Sequence, residues 1–198
     1  MSAVYSALVH YPVRDRAGET VTASVTNIDV HDIARSSHTF GLAGFFVISP
    51  IEAQRQLVVG ILEHWRSGAG LRRMPHRSEA LAICQAVLSI DDAVKLIHER
   101  EGRAPRIVAT AARPPAGRRA EAFGRVSQQL TAAAAGPSLI LFGTGHGLAD
   151  HVLEAADLLL EPIAGVGGYN HLSVRAAAAI VFDRLFGERV GSGTASTD

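Results

Sequence analysis

Short apolar runs alternate with helical patterns along this chain, and no other feature restricts its fold as strongly. The runs have the length of β-strands, and helical patterns separate them; they cover residues 4–9, 45–48, 106–109, 139–142 and 158–160. Strands that alternate with helices in this way are typical of a parallel sheet. The sequence therefore predicts an α/β fold with a mostly parallel sheet flanked by helices. Residues 21–25 are a further strand or an extended arm.

Two predicted helices carry apolar stripes that should pack on this sheet. Residues three and four positions apart share a helix face, and the two stripes are Leu57, Val58, Ile61, Leu62 and Trp65, and Val174, Ala177, Ala178, Val181, Phe182 and Leu185. Ser173 is the expected N-cap of the second helix, and Gly187 is its expected end.

The composition predicts one domain of ordinary size. The chain has 198 residues, of which 47% are apolar, enough for a substantial core. We expect one domain over residues 1–190 and a disordered polar tail at 191–198. The single cysteine, Cys84, is expected in the core of a protein of the reducing cytoplasm, and no stretch is long enough to span a membrane. The net charge of zero excludes coating of nucleic acid by bulk electrostatics, so any RNA contact should be local.

Two glycine-bearing loops each follow an apolar run near the C-terminus. Residues 141–148 read LFGTGHGL, and residues 161–175 read EPIAGVGGYNHLSVR. Glycines leave backbone groups open to close approach by a ligand, so two such loops side by side predict a ligand cleft. A P-loop would need a Lys-Ser/Thr pair after its glycines. A dinucleotide-binding fingerprint would need the spacing G-x-G-x-x-G. Neither pattern is present, which argues against a phosphate-binding loop.

These loops resemble the second and third motifs of the SPOUT, or alpha/beta-knot, RNA methyltransferases, the third motif through residues 169–175. Residues 27–41 are similar to the first motif, which Arg35 and the Phe40-Gly41 ending fit. Asp29 stands where one type of member has Asn, and His31 stands where it has Gly. Order and spacing most resemble a branch similar to the C-terminal domain of bacterial tRNA guanine-N1 methyltransferase. The likeness covers residues 4–187.

The resemblance implies a C-terminal trefoil knot in the α/β fold, S-adenosylmethionine (SAM) as cofactor, and a homodimer. It also implies methylation of RNA, of the tRNA or rRNA class. One alternative is a non-catalytic RNA-binding or regulatory module that keeps the SAM pocket. Another is methylation of a protein or small molecule.

The predicted cofactor site consists of the two glycine loops and the end of a third strand. The loops would hold an adenine through backbone groups and cover it with apolar side chains such as Leu141, Ile163 and Leu172. The predicted cofactor-binding residues are Thr110, Ala111, Leu141, Phe142, Gly143, Thr144, Gly145, Gly147, Pro162, Ile163, Tyr169, Asn170, His171, Leu172 and Ser173. The alternative is that the glycines only make tight turns. We expect Gly145→Val to block the cofactor while leaving the fold intact.

Arg35 and Asp29 are the predicted catalytic residues, on a helix expected from about residue 29 to residue 40. His31, Arg35 and His38 share one face of that helix, which is either a cationic stripe or a plain solvated surface. Arg35 would bind a phosphate or polarise the acceptor, because its very high pKa prevents it from acting as a base. Asp29 or another carboxylate would take the proton. Asp29 is alternatively the helix N-cap.

Four arginines are predicted to contact RNA. Arg72, Arg73 and Arg77 lie in a glycine-containing basic loop, and Arg113 follows the strand at 106–109. The alternative is that these charges only keep the protein soluble. No metal is predicted, because the nine histidines form no H-E-x-x-H pair and no cysteine or carboxylate joins two of them at ligand spacing.

Overall fold

A six-stranded parallel sheet forms the centre of the molecule. The computed structural model describes residues 2–66, 74–132, 134–167 and 169–187. The sheet order is β5-β4-β1-β7-β6-β8, and every neighbouring pair in it is parallel. The strands are β1 Val4–Val9, β4 Gly44–Ile48, β5 Cys84–Val87, β6 Arg106–Thr110, β7 Ser138–Gly143 and β8 Leu158–Leu160. Two further strands, β2 Val13–Arg14 and β3 Thr20–Val21, form an antiparallel hairpin directly after β1.

Helices cover both faces of the sheet. The described helices are α1 Asn27–Thr39, α2 Glu52–Arg66, α3 Pro75–Ala82, α4 Ile90–Glu101, α5 Phe123–Thr131, α6 Asp150–Ala155 and α7 Val174–Phe186. One hydrophobic cluster joins the sheet to α1, α2, α3, α5 and α7, and a second joins the other face to α4 and α6. Successive strand residues point to opposite faces, so in β1 Leu8 belongs to the first cluster while Ala7 and Val9 belong to the second.

The sequence-based strands and the two apolar helices are confirmed, with three differences. β5 was not predicted, and the buried Cys84 is its first residue. Residues 21–25 are not one strand, because only Val21 pairs, in the short β3. Leu57 was expected in the apolar stripe of α2 but is 46% exposed, since only Val58 and Leu62 of that helix are buried. α7 begins after the predicted N-cap, Ser173, and its C-cap is Gly187, where the helix was expected to end.

The strand order positions the site. β1 has β4 on one side and β7 on the other. The crossovers from β1 to β4 and from β4 to β5 place α1, α2 and α3 on one face of the sheet, whereas the crossover from β7 to β8 places α6 on the other. In open parallel sheets, ligands bind beyond the carboxyl ends of the strands where the order reverses. Both glycine loops leave this edge, one after β7 and one after β8. The predicted tail at 191–198 lies outside the described residues. No helix in the described ranges is long and apolar enough to cross a membrane.

Candidate functional site

A cavity of about 930 Å³ lies beyond the carboxyl ends of the central strands. Its lining comes from segments that are far apart in sequence but adjacent at this edge of the sheet. They are the β2–β3 hairpin (residues 14–18), the entry to α1, the segment after β6 (110–115), the loop after β7 (142–147), and the loop from β8 into α7. The two glycine loops therefore do lie side by side, as the sequence predicts.

Most of the predicted cofactor residues line this one cavity. They are Thr110, Ala111, Phe142, Gly143, Thr144, Gly145, Gly147, Ile163, Asn170, His171, Leu172 and Ser173. Leu141, Pro162 and Tyr169 are not part of the lining. Leu141 is fully buried in the core against α4 and α6, on the opposite face of β7 from Phe142. The expectation that the Leu141 side chain covers an adenine is therefore wrong, although its carbonyl accepts a hydrogen bond from Thr110 Oγ1 at 2.8 Å.

The loop after β7 is a tight turn in which each glycine has its own steric reason. A Cβ on Gly143 would lie 2.4 Å from the backbone nitrogen of Leu148. Gly145 and Gly147 have φ values of +60° and +101°, a region that residues with side chains rarely adopt. A Cβ on Gly145 would also lie 3.0 Å from the carbonyl oxygen of Arg14. Gly145→Val would therefore strain the loop itself, which corrects the expectation that this variant leaves the fold intact.

The β2–β3 hairpin holds the glycine loop from outside and was not predicted as part of the site. The Arg14 amide donates to the Gly147 carbonyl at 2.9 Å, and the His146 amide donates to the Arg14 carbonyl at 3.0 Å. Val13 and Leu148 form an isolated antiparallel bridge beside these bonds. Backbone hydrogen bonds therefore fix the position of the hairpin relative to the loop. Its only sequence signal was a polar turn around Gly18.

Asp29 lies at the cavity and connects α1 to α7. Thr26, not Asp29, is the N-cap of α1, because its hydroxyl accepts the Asp29 amide at 3.4 Å. The Thr26 hydroxyl also lies 2.6 Å from Asp29 Oδ2, to which it donates. Asp29 is 7% exposed, and its Oδ1 accepts Arg175 Nη1 at 3.0 Å. Arg175 Nε lies 3.6 Å from Asp32 Oδ2. Arg175 also lines the cavity, and no sequence-based assignment singled it out.

Arg35 lies outside this cavity. It is exposed on α1, whereas the buried residues of that helix, among them Ile33 and Ala34, face the core. His31, on the same side as Arg35, packs edge-on against Trp65 with ring centroids 5.6 Å apart. Burial, together with the charge of Arg77, lowers the pKa of His31. Arg35 therefore contributes to an outer surface of the chain and not to the cavity wall.

His10 is a buried histidine at the end of β1 that sequence reasoning did not consider. It is 0% exposed, its Nδ1 lies 3.5 Å from Thr144 Oγ1, and its Nε2 has no hydrogen-bond partner. Burial lowers the pKa of His10 to about 4, and the nearby Asp29 carboxylate offsets part of that effect. A neutral imidazole therefore packs directly behind Thr144, next to the cavity.

The predicted RNA-contacting arginines separate in the structure. Arg113 is exposed and lines the cavity. Arg77 lies with its guanidinium carbon 5.0 Å from the ring centroid of Trp65, away from the cavity lining. Arg72 and Arg73 lie outside the described residues.

Comparison with known proteins indicates a family for the whole chain. A family model described as SAM-dependent RNA methyltransferase matches residues 3–187. The tRNA (guanine-N(1)-)-methyltransferase of Oleidesulfovibrio alaskensis is 45% identical over 185 residues, which are 93% of this chain and 42% of that protein. The chain thus spans less than half of that relative. An uncharacterised protein of Aquifex aeolicus is 36% identical over 183 residues, 92% of this chain and 88% of that protein.

Solved structures with low sequence identity share the fold. A putative methylase family protein from Neisseria gonorrhoeae has a TM-score of 0.61 at 14% identity, over 93% of this chain and 82% of that one. A TrmH/SpoU tRNA-modifying enzyme from Aquifex aeolicus has a TM-score of 0.54 at 13% identity, over 92% of this chain and 72% of that one. These similarities support the architecture and not any residue's role.

Proposed function

Because the chain belongs to the family of SAM-dependent RNA methyltransferases, we propose that it transfers a methyl group from SAM to RNA of the tRNA or rRNA class. One observation carries the proposal. The loops that resemble the second and third SPOUT motifs line a single cavity at the edge of the sheet where ligands bind. A non-catalytic module would keep the same cavity but would not transfer the methyl group.

The residues around the cavity fit the cofactor. A volume of about 930 Å³ lies at the upper end of the range for small-molecule sites, about 300–1,000 Å³. Ile163 and Leu172 supply an apolar surface for an adenine, and the glycine turn allows its backbone to approach closely. Thr110, Asn170 and Ser173 add polar groups to the lining. This mixture suits a ligand with a flat heterocycle and a polar tail.

When bound, the cofactor supplies a methyl group already activated by a sulfonium. The chain must therefore hold the acceptor in line with that group and remove the acceptor's proton. Asp29 is the proposed proton acceptor, because it is a carboxylate in the lining and its contacts to Thr26 and Arg175 fix its orientation.

Asp29→Asn is expected to lower the transfer rate about 100-fold while S-adenosylhomocysteine affinity stays within a few-fold of wild type. The amide keeps the size of the side chain but cannot accept the proton. Single-turnover transfer and calorimetry measure the two quantities. The matched control is Asp32→Asn, which removes the other carboxylate near Arg175 and should transfer at nearly the wild-type rate. Wild-type transfer by Asp29→Asn would leave Asp29 as a link between α1 and α7 only.

Arg35 is proposed to bind an RNA phosphate, because its exposed position outside the cavity favours a backbone contact over polarisation of the acceptor atom. Arg35→Ala should reduce transfer about tenfold at low salt, with cofactor affinity unchanged. Arg35→Lys should recover part of the loss, and the recovery should shrink as salt rises, since a point charge replaces only the Coulombic part of the contact. Transfer rates from 50 to 200 mM salt measure this. If both variants are equally inactive at every salt concentration, the Arg35 guanidinium instead polarises the methyl-acceptor atom through its forked hydrogen bonds.

We propose further that residues 1–190 form one domain with a C-terminal trefoil knot and that the protein is a cytoplasmic homodimer. The resemblance of residues 27–41, 141–148 and 161–175 to the three SPOUT motifs supports the knot. Three exposed apolar side chains near the adjoining ends of α1 and α7, all outside the cavity lining, support the dimer: Ile28, Val166 and Tyr169. Sedimentation equilibrium tests this assembly, and Ile28→Asp should shift it toward monomer.

Incubation with methyl-labelled SAM, followed by separation of RNA, protein and small molecules, tests the function. The proposal expects label in the tRNA or rRNA fraction. Label only in protein or small molecules would support the second alternative, and cofactor binding without any transfer would support a non-catalytic module.

A further inference from the structure

The β2–β3 hairpin provides one wall of the cavity that the methyl-transfer proposal does not use. Residues 14–18, which include its turn, belong to the lining. The turn is fixed at both ends, by the bonds between Arg14 and the glycine loop and by the Asp15 amide, which donates to the Glu19 carbonyl at 3.0 Å. The backbone of the turn is therefore held at a set position beside the cavity.

The acidic groups of the lining are already engaged by partners within the protein. Asp15 Oδ1 accepts the amides of Ala17 and Glu19 at 2.8 and 3.0 Å. Asp29 pairs with Arg175, and Glu161 Oε1 accepts the amide of Phe123 at 2.8 Å. These acids stabilise the hairpin turn, the α1–α7 contact and the start of α5.

Two arginines of the lining differ from the others in having no such partner. Arg14 pairs with Asp150 at 2.9 Å, and Arg175 pairs with Asp29. Arg16 and Arg113 are exposed, and within the described ranges neither guanidinium makes a hydrogen bond or an ion pair. Arg16 extends from the hairpin turn, and Arg113 comes from the segment after β6. Pro114 and Pro115 follow Arg113 and stiffen that segment.

Two unpaired guanidinium groups on separate walls of one cavity suit an extended anion. Guanidinium groups bind phosphate oxygens through forked hydrogen bonds, and a protein with no net charge needs such local contacts to hold a nucleic acid. We propose that Arg16 and Arg113 hold the phosphates of the RNA strand on either side of the target nucleotide. This inference rests on the proposed function, and it identifies the hairpin as the RNA-contacting wall of the cavity.

RNA binding by arginine variants tests the proposal. Arg16→Ala and Arg113→Ala should each weaken binding of unmodified bulk tRNA about tenfold at low salt, measured by fluorescence anisotropy. Each lost phosphate contact should reduce the salt slope of log K by about 0.7–0.9. Arg16→Glu should weaken binding further than Arg16→Ala, because it adds repulsion. Arg103→Ala is the control for a surface arginine away from the cavity, since Arg103 is exposed, lies before β6 at the opposite edge of the sheet, and donates to the Ala135 carbonyl at 2.8 Å.

The same variants separate this proposal from the methyl-transfer function. S-adenosylhomocysteine affinity, measured by calorimetry, should equal that of wild type in all of them. A selective loss of that affinity would mean that an arginine binds the cofactor carboxylate and would overturn the RNA assignment. If folded Arg16→Ala and Arg113→Ala bind tRNA with unchanged affinity and salt slope, the RNA assignment is also overturned. The proposed function still stands in that case, provided that the wild-type protein transfers the methyl group. A wild-type protein that binds the cofactor but no RNA at low salt contradicts both.

Discussion

Gly143→Ala is expected to lower the free energy of unfolding by about 3 kcal/mol and to abolish cofactor binding. The added Cβ would lie 2.4 Å from Leu148 N and 2.7 Å from the carbonyl carbon of Gly147. Both atoms belong to the backbone, and Leu148 is fully buried against the second cluster. The loop therefore cannot move aside without breaking its bonds to the hairpin. Urea unfolding followed by circular dichroism measures the change.

Gly60→Ala is the matched control for this substitution. Gly60 lies inside α2, and a Cβ there would meet no heavy atom within 4 Å. Alanine favours a helix interior over glycine by about 1 kcal/mol, so the control should be as stable as wild type or slightly more stable. If Gly143→Ala changes stability by less than about 0.5 kcal/mol, the range of ordinary surface substitutions, the turn geometry described for residues 143–148 is wrong.

The second large effect is a loss of stability in mild acid caused by His10. Burial lowers its pKa to about 4 in the folded protein, whereas the unfolded chain has the ordinary value of about 6.5. Between pH 6.5 and pH 4, His10 binds a proton in the unfolded state but not in the folded state. The contribution of neutral His10 to the free energy of unfolding is therefore complete above pH 6.5 and is lost as the pH falls toward 4. At about 1.4 kcal/mol per pKa unit, the loss approaches about 3 kcal/mol.

Comparison with His10→Gln isolates this contribution. Glutamine does not titrate, so its free energy of unfolding should fall less than that of wild type between pH 6.5 and pH 4. Carboxylates and other histidines, including His31, titrate in both proteins and cancel in the difference. Urea unfolding at half-unit pH steps gives the two curves. Parallel curves over this interval would mean that His10 accepts a proton in the folded state.

Most of the sheet could be predicted from the sequence because its strands are apolar runs that helical patterns separate from one another. β5 was missed because α3 runs into it almost without a break, so one apolar stretch, residues 80–88, covers two elements. Leu141 and Phe142 were both predicted to bind the cofactor. Neighbouring strand residues point to opposite faces, and only the structure shows that both side chains are buried, Leu141 in the second cluster and Phe142 in the first, where its ring lies 5.4 Å from that of Phe182.

The site could be predicted where it consists of glycine loops and not where it depends on tertiary packing. Strands of two residues have no period, so the hairpin that carries Arg16 gave no signal beyond a turn. The ion pair between Arg175 and Asp29 joins helices 146 positions apart, and no local pattern predicts such a contact. Asp29 was an N-cap alternative because the helix was expected to begin near residue 29. In the structure α1 begins at Asn27, and Thr26 is its N-cap.

The most direct test of the central claim is calorimetric titration of SAM into wild type, Ala177→Phe and Ala179→Phe. Ala177 lines the cavity from α7, whereas Ala179 lies two positions further along the same helix and outside the lining. The account predicts that wild type and Ala179→Phe bind SAM, and that the ring at position 177 fills the cavity and removes binding without unfolding the protein. Equal SAM affinity in folded Ala177→Phe, or no binding by wild type at millimolar SAM, would contradict the claim that this cavity is the cofactor site.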